Sequence, residues 1–126
     1  MDTLTHALSG ALVGRMLASR RPAAGTRAAN AAPVPVWQMV VAGTAAAIFP
    51  DLDFVLGWIS ELTYLRGHRG VTHSLILLPL WGVLIAWLLA RFWQRGGRVA
   101  AGWRSFYPVV CAAIFVHILG DLITQF

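Results

Sequence analysis

The sequence predicts an all-α fold: a polytopic membrane bundle of three to four hydrophobic helices, forming a single domain over residues 1–126. Three observations predict it. Apolar residues make up 58% of the chain and charged residues only 12%, about half the charged share of an ordinary soluble domain. The apolar residues gather into stretches close to the roughly 20 residues that cross a bilayer. The ten basic residues, all arginine, crowd the ends of those stretches and the connections between them. Their net charge of +5 forms no polar face of the kind that grips nucleic acid, so no nucleic-acid partner is expected. The lone Cys111 excludes a disulfide framework and a cysteine-based zinc cluster.

The first stretch, Leu4 to Leu17, spans only about 21 Å as a helix, which suits a short span, a re-entrant piece or an interfacial helix. It lacks a basic region ahead of its apolar core and contains His6, so it does not read as a signal peptide. Residues 18–35 are rich in Ala, Pro and Arg and have no hydrophobic period, which predicts a loop. The second stretch runs from Val34 to Phe49, then resumes as FVLGWI after an interruption, PDLD. Pro50 disfavours helix at Phe49, so the stretch should break there and offer Asp51 and Asp53 from a turn or a fresh helix start. The clearest span is Leu75 to Trp93, with no charge before Arg91 and with Trp residues suited to the interfaces. The last stretch, from about Phe106 to Phe126, is apolar except for His117, Asp121 and Gln125.

The arginines also predict a topology. Arg15, Arg20, Arg21 and Arg27 follow the first stretch, and Arg91, Arg95, Arg98 and Arg104 follow the third. The positive-inside rule puts both groups in the cytoplasm. The N-terminus, the segment around residues 60–73 and the end of the last helix then face outward, and the 18–35 loop faces inward.

Eight of the nine acidic and histidine residues fall in four short clusters: Asp2 with His6, Asp51 with Asp53, His68 with His73, and His117 with Asp121. A spacing of four puts two helical side chains on one face, so His6 can meet Asp2 and His117 can meet Asp121. In the arginine-derived topology all four clusters reach the outer leaflet, although arginine played no part in defining them. An Asp inside a spanning helix costs about 2.5–3.5 kcal/mol on insertion scales and usually marks function. Singly, each cluster also has an ordinary reading: Asp2 as a helix cap, PDLD as a turn, His68 as a solvated residue, and His117 with Asp121 as a structural hydrogen bond. Together, eight candidate ligands exceed the four that one zinc needs, which fits two ions, or one ion with carboxylates behind its ligands. His and Asp without thiolates suit Zn²⁺, Mn²⁺ or Fe²⁺ better than Ca²⁺ or Cu⁺. Arg69, between the histidines of HRGVTH, would tolerate a nearby cation if an anionic, phosphate-bearing substrate lay between them.

The ordered set DxxTHxxxG (Asp2 to Gly10), FPDLDF (Phe49 to Phe54), HRGxTHS (His68 to Ser74) and HxxxDxxT (His117 to Thr124) resembles the YdjM-type family of inner-membrane, metal-dependent hydrolases. It is distantly similar also to zinc-dependent phospholipase C enzymes, whose HxxxD element His117 and Asp121 would match. The resemblance covers nearly the whole chain. The arginine-derived topology puts the site on the outer, periplasmic side, and the resemblance implies a multi-pass protein of a bacterial or archaeal inner membrane with one or two divalent ions, zinc foremost. It further implies His6, Asp53, His68, His73, His117 and Asp121 as metal ligands, with Asp51 or Asp2 behind the ligands or as general base. Such relatives generally continue into further hydrophobic segments, so this chain, stopping at Phe126, is expected to be a C-terminally truncated form. The expected reaction is hydrolysis of a phosphoester or similar bond in a lipid or periplasmic substrate. The rival readings are transport of a metal or proton through the same residues, and a regulatory protein with a structural metal. The sequence does not fix the oligomeric state.

Overall fold

A computed structural model describes residues 2–20, 34–52, 73–97 and 102–124. Within them the chain is all helical: α1 (Thr3–Ala18), α2 (Val36–Ile48), α3 (Leu78–Arg95) and α4 (Trp103–Thr124). The helix boundaries have local causes. Asp2 caps α1 by accepting hydrogen bonds from the backbone N–H and the hydroxyl of Thr5, both at 2.7 Å. Arg15 lies in the last turn of α1, where a cation complements the exposed carbonyls. α2 is followed by a 3₁₀ turn over residues 49–52, where Pro50 cannot continue the helical ladder. Pro79 sits in the first turn of α3, where its missing N–H costs no bond. Gly97, at φ 65°, takes the left-handed conformation just past that helix.

α1 packs chiefly on α2 and α3 on α4, while α4 also touches both α1 and α2. The buried stripes explain this arrangement. On α1 they are His6, Gly10 and Gly14, spaced by four. On α2 they are Gln38, Ala42, Gly43, Ala46 and Ala47. The two helices approach so closely that a Cβ on Gly10 would strike the Gly43 carbonyl oxygen, and one on Gly43 would strike that of Gly10. Small residues at such a crossing are what helices packing in lipid require, because contact there is driven by close approach rather than by escape from water. The large apolar side chains point the other way: Leu4, Leu8, Leu12 and Met16 form an exposed ridge on α1, and Leu80, Leu84, Trp87, Leu88 and Phe92 do so on α3.

α4 is the one helix among the described residues long and apolar enough to cross a membrane by itself. This differs from the sequence expectation, which ranked Leu75 to Trp93 first. There the helix begins only at Leu78, after a turn over residues 75–77, and it carries Arg91 and Arg95 inside its last turns. α2 with its 3₁₀ extension, Val36–Leu52, is apolar but shorter. Most of the 18–35 loop lies outside the described residues.

The two ends of the bundle differ chemically. At one end Trp37, Trp93 and Phe106 join α2, α3 and α4, with ring centroids 6.0 Å apart for Trp37 and Trp93 and 5.0 Å for Trp93 and Phe106. Arg91, Arg95 and Arg104 flank this end, and the guanidiniums of Arg91 and Arg104 lie over the rings of Trp87 and Trp103. The other end holds the described histidines and aspartates, among them His6, Asp51, His73, His117 and Asp121.

Candidate metal centre

Four elements deliver side chains to the histidine end. α1 brings His6 on the glycine stripe, so the close α1–α2 crossing fixes how deeply the ring sits. The 3₁₀ turn after α2 presents Asp51, the turn before α3 presents His73, and α4 presents His117 and Asp121 one turn apart. His6 and His117 are fully buried, and their rings stack with centroids 3.7 Å apart. Asp121 and Asp51 keep a small exposed edge, 14% and 19% of their side chains.

The polar atoms converge. His6 Nε2 meets Asp121 Oδ1 at 2.9 Å. The other carboxylate oxygen, Oδ2, lies 3.4 Å from His73 Nε2 and 3.4 Å from His117 Nε2. The two imidazole nitrogens are themselves 3.2 Å apart. Asp51 Oδ1 stands 3.5 Å from His117 Nε2. His6, Asp51, His117 and Asp121 each bring one donor atom within 4.8 Å of all the others.

These distances test whether the group fits a metal. Two ligand atoms about 2.0–2.1 Å from one tetrahedral ion lie about 3.3–3.4 Å from each other. His73 Nε2, His117 Nε2 and Asp121 Oδ2 form a triangle with edges of 3.2, 3.4 and 3.4 Å, matching one face of such a tetrahedron. Charge fits as well: Asp51 and Asp121 offer two carboxylates, which a divalent ion would neutralise in surroundings where an unpaired charge is costly. The Nδ1 atoms of His6 and His117 are buried with no hydrogen-bond partner among the described residues, so the Nε2 atoms are the ones turned to the shared point.

Of the residues expected from sequence, the structure thus brings together His6, Asp51, His73, His117 and Asp121. Asp53, His68 and Arg69 lie outside the described residues. Asp2 is placed otherwise. Its carboxylate is spent on Thr5, whose hydroxyl and N–H hold it below the usual carboxylate range, and His6 turns across the bundle to Asp121. The expected i,i+4 pairing of His6 with Asp2 gives way to a helix cap, because two hydrogen bonds at the helix terminus outcompete one lateral contact. The sequence motifs include Gly10 only as the end of DxxTHxxxG and leave out Gly14 and Gly43, yet these three glycines let α1 and α2 close on each other beside His6. The signal was available in the G-x-x-x-G spacing of Gly10 and Gly14.

A family model described as YdjM inner membrane protein matches residues 1–126. The chain belongs to the YdjM inner membrane protein family. Among curated proteins, it is 29% identical over all 126 residues to the uncharacterized protein YfhP of Bacillus subtilis (strain 168), of whose length it covers 35%. No solved structure matches. For a YdjM-family chain the membrane setting agrees with α4, the one helix among the described residues long and apolar enough to cross a membrane, and the His/Asp group able to hold a metal includes His117 and Asp121 from its last turns.

Proposed function

We propose that this YdjM-family chain is a multi-pass, metal-dependent hydrolase of the inner membrane, acting on a phosphoester-bearing substrate at the outer face. One observation carries the reading: the triangle of His73, His117 and Asp121 donor atoms has the dimensions of a tetrahedral coordination face. These three residues hold one divalent ion, zinc foremost, with Mn²⁺ or Fe²⁺ accepted by the same donors. Three protein ligands with a fourth position left over is the pattern of catalytic rather than structural zinc. When bound, the ion supplies Lewis-acid polarisation of a phosphoryl oxygen and acidifies water at neutral pH.

The chain's own residues do the rest. Asp51, partly exposed beside His117, accepts the proton from the attacking water. His6 donates from Nε2 to Asp121 Oδ1. At 2.9 Å this is a hydrogen bond rather than a ligand-to-ligand edge, so His6 orients the carboxylate whose Oδ2 faces His73 and His117. Arg69 pairs with the substrate phosphate. The four apolar stretches of the sequence, each helical among the described residues, support three to four spans. The arginines at the opposite end support an inward-facing basic end and an outward-facing site.

The test is metal analysis of the detergent-purified chain alongside turnover of a phosphodiester lipid analogue. Expected is a bound transition metal near one per chain, with turnover abolished in His117→Ala. Metal-free wild type with unchanged thermal stability in His73→Ala and His117→Ala overturns the reading. The ionisable residues within a membrane bundle favour one second reading, transport of a metal or proton. Ion flux into proteoliposomes without turnover of the analogue decides for it.

A further inference from the structure

Beside the metal centre lies a cavity of about 420 Å³, within the usual range for a ligand pocket, about 300–1,000 Å³. Its polar lining comes from His73, Ser74 and Asp121, and its apolar lining includes Ile76, Ile118 and Leu122. We propose that the substrate is a phospholipid taken sideways from the bilayer, with one acyl chain in this groove and its phosphate at the His73/Asp121 edge of the site. The proposal rests on the metal-site reading for the phosphate and on the groove itself for the chain.

Three observations select a lipid. The groove is amphiphilic in one direction, since two of its three polar lining residues supply edges of the donor triangle and the rest of the lining is apolar. A water-soluble phosphoester would leave those apolar walls unused. The groove is also open where hydrocarbon would lie: Ile76 is 89% exposed and Leu122 58% exposed, and Ile118 and Leu122 belong to α4, the helix able to span the membrane. Finally, the polar and apolar parts come from the same two short segments, the α3 entry turn and the last turns of α4. A phosphate at His73 therefore directs its chain along Ile76, Ile118 and Leu122 without crossing the bundle. The Ser74 hydroxyl, next to His73, is a further donor for a headgroup oxygen.

The experiment places the full chain in phosphatidylcholine nanodiscs with either of two photoreactive probes that share one diazirine-labelled acyl chain. One probe is phosphatidylglycerol and the other diacylglycerol, and adducts are mapped by mass spectrometry. The phosphodiester probe is expected to label Ile76, Ile118 and Leu122 about fivefold more than the diacylglycerol, the size of preference that one polar contact gives. The ratio should be near one at Leu8 and Leu12 on the exposed ridge of α1. Ile118→Trp, which fills the groove, should bring the ratio at Ile76 and Leu122 to one with bound metal unchanged. Equal labelling by the two probes in metal-containing wild type overturns the groove while leaving the metal centre standing. Absence of lipid adducts at Ile76 and Leu122, with disulfide cross-linking between copies of Ile76→Cys in a Cys111→Ala background, assigns the groove to a second copy and also overturns it. Metal-free protein that still prefers the phosphodiester probe upholds the groove and removes the hydrolase reading instead.

Discussion

His73 and His117 face each other through their Nε2 atoms at 3.2 Å, although 44 positions separate them in the chain. One nitrogen comes from a turn and the other from the buried face of a membrane helix, and Asp121 Oδ2 stands 3.4 Å from each. If that triangle holds an ion, its members and its supporting residue should differ in what their loss does. His117→Ala removes a buried donor and should leave the purified protein essentially without metal. His6→Ala removes only the hydrogen bond that orients Asp121, so metal should still bind, about 10–100-fold more weakly. Competition with a chromogenic chelator measures both. Equal losses in the two variants would make His6 a ligand.

The α1–α2 crossing should be intolerant of a single methyl group. Gly10→Ala forces a Cβ into the Gly43 carbonyl, at an expected cost of about 1–3 kcal/mol. His6 shares the stripe with Gly10, so metal affinity should fall too. Gly102, with nothing within 4 Å of an added Cβ, supplies the control: Gly102→Ala should change neither. Thermal unfolding in detergent and the chelator assay read the two effects.

Asp2 predicts a pH dependence confined to one helix end. Its folded pKa is lowered by the Thr5 hydroxyl and N–H, so its contribution to the α1 terminus is present above the unfolded value and is lost as pH falls through the folded one. The protection of the Thr5 amide, its exchange measured relative to the unfolded rate at each pH, should therefore fall on acidification from about pH 6 to about pH 2. In Asp2→Asn, which caps without charge, the protection should lose this pH response. Metal content of the variant at neutral pH should match wild type.

The arginine distribution predicts opposite labelling of two engineered cysteines. In a Cys111→Ala background, a membrane-impermeant maleimide added to spheroplasts should modify Arg66→Cys and spare Arg95→Cys until the cells are lysed. The reverse pattern would turn the proposed site toward the cytoplasm.

Much of this organisation was legible in the sequence because it is local. The helix break at Pro50 and the pairing of His117 with Asp121 one turn apart follow from spacings of a few residues, and the separation of Arg91, Arg95 and Arg104 from His6, His73 and His117 follows from where the apolar stretches end. The contact between His6 and Asp121, 115 positions apart, has no local signature. It exists because a stripe of glycines lets two helices close on each other, and binary patterns of apolar and polar residues are blind to side-chain size. For the same reason Asp2 looked like a partner for His6: helical geometry allowed the pair, and only the competing cap at Thr5 decided against it. The ranking of spans went astray at α3 because its apolar run begins in a turn and ends among arginines.

His73 sits in the turn before α3, and its partners His117 and Asp121 sit in the last turns of α4. An ion shared by these three would tie the entry of one helix to the end of another, at the opposite pole of the bundle from the Trp37, Trp93 and Phe106 cluster. Because such an ion binds only the folded arrangement, it would add stability that rises with its free concentration. Chelation would then loosen the histidine pole first and leave the aromatic pole to hold the helices together.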